Sequence, residues 1–371
     1  MDLKTGHSYS DDARLIVEEA TADFSCNPGT ILFFSPLKCF DELNVVLSEK
    51  YPGTQIIGAS TNYSFCDNRM QQKDQSCGTV IVDFGDGFDC FGGVIEEVCE
   101  HPVEYIFRVR ECLNKLDTDE NTVCLEFTTA FYGAEELVLD TFASALEGHD
   151  IPVAGSSCGN EDWGNITCVS YNGRVYHNAC VFLFVHNRQG RIAILKQELY
   201  EPTRKYFTAD SVDVKKRVVY ELNGQPAAEV LAKELHYELF ELPDHFAEYA
   251  LGRAVGEDIY STDFVKITRE KGLEMFASVF GGTRMCILNR GKYNSCLSNV
   301  VAQIRKSIPE PRFVLYINCM SLTKFYRQIN WLDVFNMGLG SASEVYAGIS
   351  GYGEQLGRIH VNKTLVAVAF E

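Results

Sequence analysis

The apolar and polar positions of the chain follow an order that recurs three times. Apolar runs at residues 30–34, 122–127 and 312–318 predict buried strands, and apolar residues at helical spacing follow each run. A second short strand then leads into a Gly-x-Ser sequence and a loop, and a further strand closes the pattern. The Gly-x-Ser sequences are Gly58-Ala59-Ser60, Gly155-Ser156-Ser157 and Gly348-Ile349-Ser350.

Further predicted elements precede these repeats. In the second repeat, a strand at residues 88–97 and a helix opened by Pro102 come first. Proline suits that position because its missing N–H would have no partner in the first turn of a helix. In the third repeat, a strand at residues 284–288 precedes a helix of the same kind. A helix near the amino terminus has Ser10 as its predicted N-cap.

These patterns predict an α+β fold with two lobes. Mixed sheets are covered by helices, and strand–helix–strand–loop–strand units repeat along the chain. No low-complexity linker divides the sequence. The stretch Leu242-Pro243-Asp244 is the preferred boundary, which gives domains at residues 1–242 and 243–371.

The composition narrows the classes of function. The chain has 371 residues, of which 46% are hydrophobic, so it can bury a large core. Its net charge of −18 repels phosphate backbones and anionic lipid heads, which argues against nucleic acids and membranes as partners. Its only dense basic run is Lys215-Lys216-Arg217. Because neither a secretory segment nor a membrane-spanning run is visible, we expect the protein in the cytoplasm.

The cysteines include one candidate for chemistry. The 14 cysteines are scattered without Cys-x-x-Cys spacing, and most adjoin apolar residues, so we interpret them as small buried side chains. Cys319 differs because it ends an apolar strand just before a helix, whose N-terminus lowers the pKa of a thiol. It is a candidate nucleophile or, alternatively, a buried or ligand-lining cysteine.

A serine is a second candidate nucleophile. Gly155-Ser156-Ser157-Cys158-Gly159 fits the Gly-x-Ser-x-Gly pattern that exposes a serine on a strand-to-helix turn. No helix pattern follows here, because residues 166–170 have the pattern of a strand. The alternative is a tight turn of small residues that lets another group approach the backbone. A hydrolase or acyl-transfer enzyme that uses Ser157 or Cys319 is therefore one alternative function.

Metal and cofactor patterns are sparse. The eight histidines form no metal-binding motif, so we predict no metal site. His177, His186 and His360 adjoin strands and are candidate axial ligands, which keeps a haem-based gas sensor as another alternative. Residues 351–354 resemble a dinucleotide-binding turn, but a β-rich run follows them instead of the helix that such a turn requires. We expect this loop to line a cavity.

The same loop suits a ligand pocket at the end of a strand. It offers backbone N–H donors, the ring of Tyr352 and the carboxylate of Glu354. Glu354 can pair with a ligand amine, and Arg253 can bind a carboxylate in a bidentate manner. Together they suit a zwitterion such as an amino acid. The predicted ligand contacts are Ser156, Ser157, Arg253, Cys319, Ser350, Tyr352, Gly353, Glu354 and Asn362.

Three segments resemble motifs of the FIST family of bacterial sensory proteins. Residues 220–228 are similar to its "(D/N)G-x-PA" junction between a strand and a helix, 348–354 to its C-terminal "GF-x-x-x-GE" loop, and 360–365 to its closing "H-N-x-T" strand. Their order and spacing fit over roughly residues 28–370. The family often carries "C-x-x-R", whereas the first arginine after Cys319 is Arg327.

The resemblance implies a sensory input module that binds small ligands, with amino acids as one class, and domains of FIST N and FIST C type on the two sides of residue 242. Such modules are often fused to kinase, diguanylate cyclase, chemoreceptor or DNA-binding outputs, and some relatives have been connected with haem and nitric oxide. The 371 residues leave no room for an output domain, so we expect a separate output partner. We therefore predict a sensory protein rather than an enzyme, with no required cofactor.

Overall fold

Three sheets of one design surround a shared apolar core, and helices cover their outer faces. The structure is a computed structural model, and it describes residues 3–66, 78–160 and 166–371. It confirms the α+β class with mixed sheets covered by helices. Each of the three sheets is built around one of the repeats that the sequence pattern predicts.

The first repeat combines one parallel pair of strands with antiparallel neighbours. Its elements are β1 (Lys4–Ser8), α1 (Ala13–Ala20), β2 (Thr30–Ser35), α2 (Leu37–Lys50), β3 (Gln55–Ser60), β4 (Tyr63–Cys66) and β5 (Thr79–Asp83). Strands β2 and β3 are parallel, β5 is antiparallel to β2, and β1 pairs with β5 at the edge. The order within this repeat is therefore β1-β5-β2-β3.

The second repeat has the same connections. Its elements are β6 (Phe88–Glu96), α3 (Pro102–Leu113), β7 (Thr122–Thr128), α4 (Glu135–Ala145), β8 (Val153–Ser157), β9 (Val169–Tyr171), β10 (Arg174–Tyr176) and β11 (Ala179–Asn187). Strands β7 and β8 are parallel, β11 is antiparallel to β7, and β6 is antiparallel to β11. The order β6-β11-β7-β8 reproduces that of the first repeat.

The third repeat is interrupted by an inserted sheet. It opens with β12 (Ile192–Glu198). The inserted elements are β13 (Tyr200–Asp213), β14 (Val218–Leu222), β15 (Gln225–Pro226), α5 (Ala227–Leu235), β16 (Tyr249–Val255), β17 (Asp258–Thr262), β18 (Phe264–Ile267), β19 (Leu273–Met275) and β20 (Arg284–Arg290). The repeat resumes with α6 (Tyr293–Ser307), β21 (Phe313–Cys319), α7 (Met320–Gln328), α8 (Leu332–Leu339), β22 (Tyr346–Gly351), β23 (Gly353–Leu356), β24 (Ile359–Val361) and β25 (Thr364–Phe370). Its order is β12-β25-β21-β22.

The edge strand of the third repeat differs from the sequence prediction. The sequence pattern assigns residues 284–288 to this repeat, but they lie in β20 of the inserted sheet, between β16 and β13. The edge position belongs to β12, which pairs with β25 from Ile192↔Phe370 to Glu198↔Thr364. The inserted segment separates β12 from the rest of its repeat, so closeness in sequence favours the wrong strand.

Each repeat also gives a strand to another repeat. Strand β4 of the first repeat pairs with β22 of the third, β9 of the second pairs with β3 of the first, and β23 of the third pairs with β8 of the second. In each case the donated strand follows the second parallel strand of its own repeat. The exchange forms a closed cycle in which every sheet depends on another repeat.

The inner faces of the three sheets pack into one core. Phe34, Phe127 and Ile317 come from corresponding strands and are fully buried in it. The rings of Phe34 and Phe127 meet edge to face with centroids 5.3 Å apart. On its outer face, each sheet packs against its own helices. Burial on both faces explains why the strands are continuous apolar runs in the sequence.

The Gly-x-Ser sequences belong to the second parallel strand of each repeat and lie at or next to its last residue. Their glycines let this strand lie close to its parallel neighbour. A Cβ on Gly155 would fall 2.2 Å from the carbonyl oxygen of Glu126, and one on Gly348 would fall 2.6 Å from that of Tyr316. Any larger residue at these positions would force the parallel strands apart.

Strands from both sides of residue 242 share three of the four sheets in the described part of the chain. A short 3₁₀ turn at Leu242–His245 lies inside the inserted segment. The division into residues 1–242 and 243–371 stays a prediction. Among the described residues, no helix combines the length and the apolar character that crossing a bilayer requires.

Candidate functional site

A cleft lies where the parallel strands of the third repeat end. Strands β21 and β22 finish side by side at Cys319 and Gly351, and α7 begins at the next residue, Met320. Ligands of α/β sheets commonly bind at such carboxyl ends. The cleft, which we call the α7 cleft, has a volume of about 400 Å³. Its walls include Phe246, Phe264, Phe276, Ser321, Lys324 and Tyr352.

A buried ion pair also lines this cleft. Nζ of Lys363 lies 2.8 Å from Oδ1 of Asp263. The ammonium also donates to the carbonyls of Phe246, at 2.6 Å, and Tyr249, at 2.5 Å, so all three of its N–H bonds have acceptors. Ser321 of α7 donates its hydroxyl to Oδ2 of Asp263 at 2.5 Å. The ion pair therefore joins the inserted sheet, the β24–β25 turn and α7.

Tyr352 forms a wall of the α7 cleft and is fixed by its backbone. Its N–H donates to the carbonyl of Ser157 at 3.0 Å, and its carbonyl accepts from Nδ2 of Asn362 at 3.0 Å. Its ring meets that of Phe131 edge to face, with centroids 4.5 Å apart, and lies nearly parallel to that of Phe276. Partial burial raises the pKa of the Tyr352 hydroxyl to about 12, so it remains a neutral donor.

Glu354 and Arg253 do not form the predicted clamp for a zwitterion. Glu354 is fully buried, and Thr364 donates to its Oε2 from the N–H, at 3.2 Å, and from the hydroxyl, at 2.6 Å. Burial raises the pKa of Glu354 well above its usual value, which favours the neutral acid. Arg253 donates to the carbonyls of Ser278 and His360, and burial lowers the pKa of its guanidinium to about 10. Neither side chain lines the α7 cleft.

The other predicted contacts are buried polar groups around these strand ends. Ser157 donates to Oε1 of Glu135 at 3.1 Å and accepts from Nε2 of Gln355 at 3.0 Å. The hydroxyl of Ser350 lies 2.7 Å from that of Thr323. The Ser156 hydroxyl bonds to backbone carbonyls, and a Cβ on Gly353 would collide with the ring of His360. The three serines therefore hydrogen-bond within the protein, and none of these four residues lines the α7 cleft.

A second cleft lies on the other side of Tyr352, where β7 and β8 of the second repeat end. We call it the basic cleft; its volume is about 480 Å³. The basic run Lys215-Lys216-Arg217, to which the sequence analysis assigned no function, lines this cleft. Its walls include Phe131, Tyr132, Lys215, Lys216, Arg217 and Tyr352.

Arg217 fixes that basic run to the second repeat. Its NH2 group lies 2.6 Å from Oε2 of Glu135 and also bonds to Glu136. Its NH1 group donates to the carbonyl of Phe276 at 2.7 Å. Burial opposes ionisation of Glu136, but nearby His360, Arg217 and the N–H of Ser278 lower the pKa of its carboxyl to about 2. Arg217 therefore connects α4 of the second repeat, through Glu135 and Glu136, with the inserted segment, through Phe276.

The sequence comparison gives the family. Residues 30–225 match the FIST N domain, which is more than half of the chain. The protein belongs to the FIST family. FIST domains are sensory domains for small ligands, so this FIST protein has a sensory role. No curated protein matches the sequence.

The two candidate nucleophiles of this FIST protein are buried. Cys319 is about 1% exposed, and burial raises the pKa of its thiol well above the usual value, with the nearby Glu354 acting in the same direction. The position of Cys319 before α7 suggests a lowered pKa, but the effect of burial is larger. Ser157 is equally buried and donates to Glu135, and no histidine of the described residues is its hydrogen-bond partner. Neither residue has the exposure that attack on a substrate requires.

The three candidate haem ligands of the FIST protein lie in different environments. His177 is exposed, Nδ1 of His186 lies 3.1 Å from the hydroxyl of Thr122, and Nδ1 of buried His360 lies 3.1 Å from Nε2 of Gln355. The haem alternative stays a prediction. In the described ranges, one group of side chains has metal-ligand spacing, the exposed set Glu97, Glu100 and His101.

Sequence reasoning missed the residues that line the α7 cleft from the inserted sheet. Asp263, Phe264 and Phe276 carry no motif, because their role depends on how the insertion folds against α7. Lys363 did have a signal, since it lies inside the "H-N-x-T" segment of residues 360–365. Tyr352 is the predicted contact that the structure brings to the wall of both clefts.

Proposed function

We propose that this FIST protein is a sensory input that binds a small molecule in the α7 cleft and signals to a separate output partner. The observation that carries the proposal is the cleft itself. It lies at the carboxyl ends of two parallel strands, its walls are aromatic, and a polar network of Asp263, Ser321 and Lys363 is built into it. A few fixed polar groups within an apolar wall are typical of small-molecule sites.

The chemistry of this cleft favours an amino acid as the ligand class. A carboxylate has about four acceptor positions. Asp263 receives hydrogen bonds from Lys363, Ser321 and the N–H of Phe264, which leaves capacity for a ligand ammonium. Met320 and Ser321 form the first turn of α7, so the positive end of a helix dipole lies beside the cleft and suits a ligand carboxylate, and Lys324 lines the same cleft. Aromatic walls suit an apolar side chain.

The signal has a structural route in the same network. A ligand between Asp263 and α7 would contact the inserted sheet and the third repeat at once. Ser321 already links the two through its bond to Asp263, so ligand binding would favour one relative position of insertion and helix. A kinase, a diguanylate cyclase or a chemoreceptor is the expected class of output partner.

A thermal-shift screen with the amino acids and common metabolites tests the proposal. A ligand at ~100 times its Kd should stabilise the protein by about 2.7 kcal/mol. Ser321→Ala and Lys324→Ala should reduce the shift, whereas Lys306→Ala, at an exposed position of α6, should leave it unchanged. A shift that survives both cleft substitutions would place the ligand elsewhere. Turnover of a metabolite without a saturable shift would favour an enzyme.

A further inference from the structure

We propose that the basic cleft is a second ligand site, separate from the α7 cleft, which binds a small planar anion such as an aromatic carboxylate. Its position in the fold is the first argument. In the second repeat, β7 and β8 end at the paired residues Thr128 and Ser157, and the basic cleft opens beyond them. The α7 cleft opens beyond the corresponding strands of the third repeat. The two clefts therefore occupy equivalent places in two copies of one unit.

The charge of the cleft is the second argument. The chain carries a net charge of −18, yet its only dense basic run lies here. The side chain of Lys215 is exposed and has no partner among the described residues. Lys216 forms an ion pair with Asp213, whose Oδ2 lies 3.4 Å from its Nζ, but its side chain is 72% exposed, so this pair is weakened by water. These two ammonium groups can bind an anion while keeping contact with water.

Arg217 anchors the segment that carries the two lysines, and the anchoring carboxylates pair with Arg217 and not with the lysines. Glu135 and Glu136 neutralise its guanidinium, so it serves as the anchor of the run. Its own backbone adopts a left-handed conformation with φ of 53°, which turns the chain at the entrance of β14. Lys215 and Lys216 directly precede this anchor in the sequence, and both line the cleft. The side chains of Glu135 and Glu136 are only 4% and 23% exposed, and Glu274, which also lines the cleft, is paired with Lys266.

The aromatic walls are the third argument and define the shape of the ligand. Phe131 and Tyr132 are 43% and 48% exposed, which is unusual for two adjacent large aromatic residues. Phe131 also has a φ of 74°, a conformation that a bulky residue adopts at an energetic cost. That conformation accompanies the edge-to-face contact with Tyr352. Exposed rings beside lysines suit a flat ring that carries a negative charge.

Calorimetric titration of the full chain with benzoate at low salt tests this inference. Benzamide and acetate are the matched probes, since one lacks the charge and the other lacks the ring. We expect benzoate to bind at least tenfold more tightly than benzamide, because a charge-assisted hydrogen bond contributes about 1.5–3 kcal/mol. We also expect it to bind more tightly than acetate, because only benzoate has a ring that can pack against Phe131 and Tyr132. Equal binding of benzamide, or no binding of benzoate at millimolar concentration, would overturn the proposal.

Variants assign the binding to this cleft. Lys215→Glu should weaken benzoate binding about tenfold or more, whereas Lys306→Glu, which makes the same charge change on α6, should leave it within twofold. Lys324→Ala, in the α7 cleft, should also leave it unchanged. Equal losses from Lys215→Glu and Lys306→Glu would mean unspecific attraction. Loss in Lys324→Ala alone would move benzoate to the α7 cleft, so this test fails independently of the proposed sensory function.

Discussion

Glu126 is a buried acid at a position where the other repeats have aromatic residues. In the three parallel pairs, Phe33, Glu126 and Tyr316 lie opposite the glycine of each Gly-x-Ser sequence. Oε2 of Glu126 accepts from the hydroxyl of Thr128 at 2.7 Å and from the thiol of Cys180. Burial raises the pKa of the Glu126 carboxyl to about 8. The group is therefore protonated in the folded protein at neutral pH.

This raised pKa predicts a pH-dependent loss of stability. The folded state keeps the Glu126 proton up to a pKa of about 8, whereas the usual value is 4.5, so stability is full at low pH and declines as pH rises between these values. The slope can reach about 1.4 kcal/mol per pH unit. Glu126→Gln cannot lose a proton, so its free energy of unfolding should rise relative to that of the wild type from pH 5 to pH 8.

Urea denaturation of both proteins at pH 5 and pH 8 measures this difference. Glu120→Gln, at an exposed position of the same repeat, serves as the control and should follow the wild type at both pH values. A constant difference between Glu126→Gln and the wild type would show that the carboxyl ionises in the folded protein as it does in the unfolded chain, so that its pKa is not raised.

Among the helices, α1 shows how a capping prediction can err by two residues. The sequence favours Ser10 as the N-cap, but the cap is Asp12, whose carboxylate accepts from the N–H groups of Arg14 and Leu15 at 2.9 Å and 3.1 Å. Ser10 instead accepts from the N–H of Asp12 in the preceding turn. Both residues are good caps by type, so the sequence alone does not decide between them.

Removal of the Asp12 carboxylate should destabilise the protein. We expect Asp12→Ala to cost about 1 kcal/mol, because two N–H groups of the first turn lose their acceptor. Ser10→Ala should cost less, since it removes a bond outside the helix. Urea midpoints of the two variants give the comparison. A larger cost for Ser10→Ala would assign the main capping role to the serine.

The elements of the repeats are predictable from sequence, but their partners are not. The runs at residues 122–127 and 364–370 match β7 and β25 closely because burial on both faces leaves a local apolar signal. The exchange of β4, β9 and β23 leaves no such signal, because it depends on pairing between residues far apart in sequence. The same limit explains the misplaced strand at residues 284–288.

The candidate site was predictable in its location more than in its chemistry. The glycine-rich loop of residues 348–354 does lead to a cleft, and Tyr352 lines it. Glu354 and Arg253 look like surface ligands in the sequence, but both are buried and bonded to the protein itself. Whether a side chain is buried depends on how several sheets pack together, and the residue type alone does not predict this.

At the scale of the molecule, the strand exchange predicts that neither half folds alone. A fragment of residues 1–242 would lack β25 and β22, the partners of β12 and β4, and would leave β8 without β23. We expect this fragment and that of residues 243–371 to lack cooperative unfolding when expressed separately, and to recover it when they are expressed together. Thermal unfolding followed by circular dichroism measures this. Cooperative unfolding of either fragment alone would support a domain boundary at residue 242.

The strand exchange also means that some paired strands are synthesised long before their partners, as β4 and β22 show. The hydroxyl of Thr61, beside β4, bonds to the carbonyl of Ser350 across a separation of 289 residues. At 5–20 residues per second, a ribosome needs roughly 15–60 s to make that stretch. During this time β4 has no partner strand, and the apolar face of the first sheet is not yet covered by the third sheet. We therefore expect the nascent chain to be prone to aggregation until its last repeat has emerged.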